Sequence, residues 1–148
     1  FFKLSPPVWI GGSSPSAARR VGRVGDGWLV STATPEEIRS GREILFSTAE
    51  ENKREIEYDH VGVMLGYYLS SDAEASVEKA SKFITRQRPD AFFTEYSALG
   101  SAEQVAECIN RYAEAGAHKF VVRPLCPAEE TMEQLEMMGR DVLPMFHK

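Results

Sequence analysis

Short apolar runs, each followed by a well-formed helix start, recur along this chain of 148 residues and predict an α/β fold. The run at 8–10 ends in two glycines and precedes Ser14-Pro15, and the run at 28–31 precedes the segment 34–37 (TPEE). A serine or threonine N-cap with proline in the first helical position is typical of a helix start. A short apolar run that ends at glycines or just before a helix start is typical of a strand buried on both faces.

The same alternation continues to the end of the chain. Further strands are predicted within 59–69 and at 119–123, and helices at 16–24, from 34 to about 52, from 71 to 88, from 101 to 115 and from 127 onward. Residues 91–99 are predicted to form an aromatic loop or a short extra helix. Strands that alternate with helices imply parallel pairing and right-handed crossovers. The order fits an open doubly wound sheet or part of a (β/α)8 barrel, which typically needs about 250 residues.

Apolar residues at helical spacing predict which side of each helix faces the core. In the third helix these residues are Val77, Ala80, Phe83 and Ile84, and in the last helix they are Met132, Leu135, Met138, Val142 and Leu143. Methionine in such a stripe is more often core filling than a cofactor contact.

Charge and composition exclude several classes of function. A net charge of −5 and an isoelectric point near 5.3 argue against nucleic acid as a partner, because phosphate backbones are bound by basic surface. No apolar stretch approaches the ~20 residues of a membrane span, so we expect no membrane partner and a cytoplasmic location. The cysteines and histidines lack metal-ligand spacing, so no metal site is predicted; they are Cys108, Cys126, His60, His118 and His147.

The strongest local candidate for a binding site is the glycine turn, defined as Gly11, Gly12, Ser13 and Ser14. Two glycines allow a ligand to approach the backbone, and the helix start that follows offers unpaired N–H groups and a positive dipole end. The two serines add hydroxyl donors. This combination suits a phosphate group, although a tight strand-to-helix turn with a serine cap and no ligand explains the same residues.

Two further candidates lie where strands end. Arg123, at the end of the strand at 119–123, is placed to bind an anionic substrate or a coenzyme phosphate through two parallel hydrogen bonds. A surface ion pair with Glu129 or Glu130 is the structural alternative. Tyr68, like its neighbours Tyr67 and Ser70, is a candidate for the mouth of a pocket or for the edge of the core.

Two other candidates for a catalytic role precede their strands. In a barrel, residues on that side contribute to stability rather than to catalysis. Asp26, between two glycines, is therefore interpreted as a hydrogen-bond acceptor for its turn, and His60 is not assigned a role. The segment 22–27 contains a GxGxxG-like spacing, but it follows a helix, so it does not predict a dinucleotide site. No Ser-His-Asp order, P-loop or paired-carboxylate spacing is present, which leaves hydrolase and kinase functions without support. No catalytic residue is assigned.

Four segments in order resemble one known family. They are 7–14 (PVWIGGSS) with 17–20 and 25–28 (GDGW), then 100–106 (GSAEQVA), then 116–124 (GAHKFVVRP), then 141–144 (DVLP). Together they resemble the second half of the luciferase-like oxidoreductases, the superfamily of bacterial luciferase and of enzymes that use the deazaflavin coenzyme F420. The matches run across nearly the whole chain.

The resemblance implies a TIM barrel of which residues 1–148, a single α/β domain, form the C-terminal half, strands five to eight. The chain opens Phe1-Phe2-Lys3-Leu4 without an initiator methionine, so we expect it to be part of a longer polypeptide whose N-terminal half is absent. The glycine turn would then hold the phosphate of a flavin-type coenzyme.

The function implied is that of an F420- or FMN-dependent oxidoreductase or monooxygenase, with F420 preferred over FMN. Its expected partners are the coenzyme, a small organic substrate, and either a second copy or the missing half-barrel. The alternative is a non-catalytic half-barrel that self-associates or binds a coenzyme tail without turnover. Four strands alone would expose two raw sheet edges, which favours such pairing.

Overall fold

Five parallel strands with helices between them form the fold, which confirms the α/β class but adds one strand to the four predicted. The computed structural model describes residues 6–85 and 87–146, so Phe1-Phe2-Lys3-Leu4 and His147 lie outside the described residues. The strands are β1 (Trp9–Gly11), β2 (Gly27–Ser31), β3 (Val61–Leu69), β4 (Ser97–Gly100) and β5 (Lys119–Pro124). The helices are α1 (Pro15–Val24), α2 (Pro35–Glu51), α3 (Ala73–Ser81), α4 (Ala102–Glu114) and α5 (Thr131–Met137).

Helix starts follow the capping residues that the sequence predicts. The Ser14 hydroxyl accepts a hydrogen bond from the Ala17 N–H at 3.2 Å at the start of α1. At the start of α2, the Glu37 carboxylate accepts from the Thr34 N–H at 2.8 Å while Thr34 caps the Glu37 N–H. Ser101 caps α4 in the same reciprocal way. Each cap satisfies backbone donors that the first helical turn leaves unpaired.

The sheet order is set by β3, the longest strand. One edge of β3 pairs with β2 through residues 61–64, and the other pairs with β5 through residues 62–67. β1 pairs with β2, so β1, β2, β3 and β5 lie side by side. β4 pairs with residues 66–69 of β3, a stretch whose opposite edge β5 already occupies. β4 therefore lies beyond the end of β2, on the same edge of β3.

Two local predictions differ from the structure. A short extra helix is present within 91–99 as the 3₁₀ turn Phe93–Glu95, but it leads directly into β4, a strand that was not predicted. α3 ends at Ser81 rather than near residue 88, which lets Phe83 and Ile84 pack with Tyr68 and Leu125 in a separate small cluster.

The last helix does not bury all of the apolar residues that were predicted to face the core. Met132, Leu135 and Leu143 are 64%, 42% and 43% exposed instead of inward-facing, whereas Met138 and Val142 are buried as predicted. A 3₁₀ turn (Ala128–Glu130) precedes α5 and a π turn (Met138–Val142) follows it, so the side chains do not keep one helical phase.

The two faces of the sheet have different environments. Side chains on one face pack under the helices in the main core, and Trp28, Val30, Val61, Val63 and Leu65 are at most 1% exposed there. The parallel register places Ser31 beside Met64, and Met64 beside Val121, on the opposite face. We call this the open face; on it Met64 is 38% and Val121 47% exposed.

The described helices include no membrane-spanning candidate: none within residues 6–85 and 87–146 is both long and apolar enough to cross a bilayer.

Candidate functional site

Two clefts lie at the carboxyl ends of the strands and share one residue, Thr32. The turn cleft, of about 310 Å³, lies between Ser13 and Ser14 on one side and Arg88 on the other. The strand cleft, of about 240 Å³, lies on the open face between Ser31 and Arg123. Thr32 lines both clefts. Ligands of parallel α/β folds bind at this end of the strands, so the two clefts are the candidate site.

The glycine turn is built by a backbone that requires glycine at one position. Gly12 has φ +116°, and a Cβ there would lie 2.9 Å from the Cβ of Ala17, whereas Gly11 has 3.6 Å to its nearest neighbour. The indole N–H of Trp28 donates to the Gly12 carbonyl at 2.8 Å and fixes the turn from the core side. All four residues of the turn are exposed. The turn is thus open to a ligand and held in one shape.

Arg88 forms the side of the turn cleft that faces the glycine turn, and sequence reasoning did not assign it a role. Its guanidinium donates two hydrogen bonds to the Glu37 carboxylate at 2.6 and 2.7 Å, and it also pairs with Asp90 at 2.6 Å. These bonds raise the pKa of Arg88 and hold the pKa of Glu37 below its ordinary value. Glu37 pairs with the N-cap Thr34 in the first turn of α2, so Arg88 ties the segment after α3 to the start of α2.

Thr32 occupies an unusual backbone conformation at the junction of the clefts. Its φ is +53°, in the left-handed region that a β-branched residue rarely adopts. Its carbonyl accepts a hydrogen bond from the Arg88 guanidinium at 3.0 Å. Strained residues of this kind persist where surrounding contacts hold them, and they concentrate at functional sites.

Arg123 lies on the strand cleft, as the sequence predicts for a residue at a strand end. In the register it stands beside Gly66 of β3, and it is exposed. The ion pair considered as an alternative does not form: Glu130 instead pairs with Lys79 at 3.2 Å, and no carboxylate of the described ranges lies within 4.0 Å of the Arg123 guanidinium.

Tyr96 is a buried polar residue of the strand cleft, and sequence reasoning did not single it out. It is only 4% exposed, and its hydroxyl has no hydrogen-bond partner within residues 6–85 and 87–146. The residue immediately precedes β4, whose existence the sequence pattern did not show. Knowledge of β4 was therefore needed to place Tyr96.

Tyr68, the other predicted substrate contact, is packed away from the lining of the strand cleft. Its hydroxyl donates to the Glu130 carboxylate at 2.8 Å, and burial raises its pKa. Its neighbour Tyr67 lies on the opposite face, donates to the Gln134 carbonyl at 3.0 Å, and has its pKa raised by burial to about 12. A role for Tyr68 in substrate binding stays a prediction.

Asp26 acts as the structural acceptor that the sequence predicts. Its carboxylate accepts from the Val8 N–H at 2.7 Å, and it pairs with Arg54 at 3.5 Å. The His60 ring nitrogen Nδ1 lies 2.7 Å from the Asp26 carbonyl oxygen. These contacts tie the amino ends of β1, β2 and β3 together, on the side away from the clefts.

The fold and its clefts define a class of protein: a parallel α/β domain with clefts at the carboxyl ends of its strands, the end at which such folds bind their ligands. The model of the luciferase-like monooxygenase family matches residues 2–88, more than half of the chain. The chain belongs to this family. The comparison with curated proteins gave no match.

Solved structures with the same fold include enzymes with two different coenzymes. An F420-dependent secondary alcohol dehydrogenase in complex with an F420-acetone adduct matches 96% of this chain with a TM-score of 0.73 and 16% identity, over 49% of its own chain. The F420-dependent tetrahydromethanopterin reductase from Methanopyrus kandleri matches 95%, with a TM-score of 0.67 and 18% identity, over 51% of its own chain. The FMN-bound oxygenating constituent of 3,6-diketocamphane monooxygenase from Pseudomonas putida matches 95%, with a TM-score of 0.68 and 15% identity, over 49% of its own chain. The chain thus spans about half the length of these structures.

Proposed function

We propose that this chain forms the C-terminal half of a luciferase-like barrel enzyme that catalyses a flavin- or deazaflavin-dependent oxidation, with F420 as the coenzyme and FMN as the alternative. The observation that carries the proposal is the continuity of the site through Thr32. A coenzyme whose phosphate lies at the glycine turn would extend past this residue toward the strand cleft, where a small organic substrate would lie.

The glycine turn fits a phosphate group by its hydrogen-bond donors. Ser13 and Ser14 supply hydroxyls at the start of a ten-residue helix, whose dipole favours an anion. Arg88 is already neutralised by Glu37 and Asp90, so the helix start and the hydroxyls would bind the phosphate. The coenzyme would supply the hydride or oxygen chemistry, and the protein would supply anchoring, orientation and an apolar surface.

The turn is tested by comparing two adjacent glycines. Gly12→Ala is expected to weaken binding of F420 or FMN by about tenfold or more, because an alanine at φ +116° and 2.9 Å from Ala17 must shift the turn. Gly11→Ala, which meets only ordinary contact at 3.6 Å, is the matched control and should bind nearly as the wild type does. Each coenzyme is titrated separately by its fluorescence. A Gly12→Ala variant that binds both coenzymes as tightly as the wild type does would remove the turn from the site.

The second candidate function, a non-catalytic half-barrel, is favoured by the open face. Met64 and Val121 expose apolar surface there, and within the described ranges β1 and β5 each pair with a single strand. A second copy or the other half of a barrel would cover this face. Sedimentation that shows dimerisation with rising concentration, together with coenzyme binding without turnover, would support this function over the enzyme.

A further inference from the structure

The strand cleft contains an uncompensated positive charge. Arg123 is the sole charged side chain among the described residues that line it, whereas Arg88 of the turn cleft is paired with two carboxylates. A guanidinium that is not neutralised within a cleft is suited to bind an anionic oxygen group through two parallel hydrogen bonds.

The Tyr96 hydroxyl is a second, independent indication of a ligand. A buried hydroxyl without a partner is costly, and native structures keep few such groups. Tyr96 lines the cleft that also contains Arg123, so the two polar groups without a partner among the described residues belong to the wall of one cleft.

The rest of the lining that this chain supplies suits the apolar part of such a ligand. Met64, Ile84 and Leu125 provide apolar walls, and Ser31 and Thr32 provide hydroxyls at one end.

We propose that the strand cleft binds a carboxylate group, with Arg123 as its cationic contact and the Tyr96 hydroxyl as a hydrogen-bond donor, and that the substrate class is therefore carboxylic acids with an apolar body. The assignment of this acid as a substrate rests on the proposed function. Binding of the carboxylate itself does not, because it needs no coenzyme and no turnover.

The test is a titration followed by the NMR shifts of the backbone amides, with benzoate, benzamide and inorganic phosphate as probes. Benzoate is expected to bind at the strand cleft, and benzamide, which has the same shape without the charge, at least tenfold more weakly. Arg123→Met is expected to weaken benzoate binding by about tenfold or more. Phosphate that binds through Arg123 as tightly as benzoate does would overturn the carboxylate assignment in favour of a coenzyme phosphate.

Tyr96→Phe separates a binding role from a structural one. Removing an unpartnered hydroxyl should leave the melting temperature unchanged or raise it, while benzoate affinity falls several-fold. Tyr67→Phe is the matched control: it loses the hydrogen bond to the Gln134 carbonyl on the other face, so its melting temperature should fall while benzoate affinity stays the same. The proposal is overturned if Tyr96→Phe and Arg123→Met both bind benzoate as the wild type does. That result would leave coenzyme binding at the glycine turn untouched.

Discussion

Gly41→Ala is expected to destabilise the fold by about 2 kcal/mol or more, even though alanine is the better helix former. Gly41 lies in α2, and a Cβ at this position would be 2.1 Å from the Trp28 ring. That ring is fully buried, so it has no free space into which it can move. The helix gain of about 1 kcal/mol is smaller than the cost of overpacking.

The same substitution is expected to affect the glycine turn from a distance. The Trp28 indole that would be displaced also donates to the Gly12 carbonyl. Gly41→Ala should therefore weaken coenzyme binding in protein that is still folded, in addition to lowering the free energy of unfolding measured with denaturant. Gly139→Ala is the control, because no heavy atom lies within 4 Å of a Cβ there. Equal unfolding free energies for the two variants would show that Trp28 is not tightly packed.

Sequence reasoning predicts structural features that depend on residues close together in the chain, such as helix caps. The caps at Ser14, Thr34 and Ser101 each depend on residues within three positions of one another, and all three are confirmed. The parallel sheet follows from the alternation of the elements themselves, so it too is predicted.

Features that depend on distant pairing are missed. β4 is defined by its partner residues in β3, about thirty positions earlier, and its own four residues give no alternation to detect. Arg88 ends a predicted helix in sequence, but its contact with Glu37 spans 51 positions. Tyr96 gains its place in a cleft only through β4. The sequence therefore predicts only part of the candidate site. The glycine turn and Arg123 are predicted as candidates, whereas Arg88 and Tyr96 are not.

Arg88→Ala is expected to destabilise the protein by about 2 kcal/mol and to weaken coenzyme binding, because it removes the contacts that tie the segment after α3 to the start of α2 and to Thr32. The Arg88 side chain is 15% exposed, so its hydrogen bonds to Glu37 are partly shielded from water and strong for their type. The variant also leaves the Thr32 carbonyl without its donor at a strained φ.

The effect of Arg88→Ala should depend on pH. Because Arg88 lowers the folded-state pKa of Glu37, the pair contributes stability above the ordinary Glu pKa of 4.5, and this stability is lost as the pH falls through the lower folded value. The difference in unfolding free energy between wild type and variant should therefore be full near pH 7 and shrink below about pH 4.5. Denaturant unfolding at a series of pH values measures it.

Two further variants show whether Arg88 acts through Thr32. Glycine adopts a positive φ without penalty, so adding Thr32→Gly to Arg88→Ala should recover about 1 kcal/mol and part of the coenzyme affinity. Arg140→Ala is the matched control. It removes an ion pair with Asp141 in which the Arg140 side chain is 69% exposed, so it should change stability by less than about 1 kcal/mol. If Thr32→Gly restores nothing, Arg88 acts by joining α2 to the segment after α3, and the backbone at the junction of the two clefts keeps its shape without it.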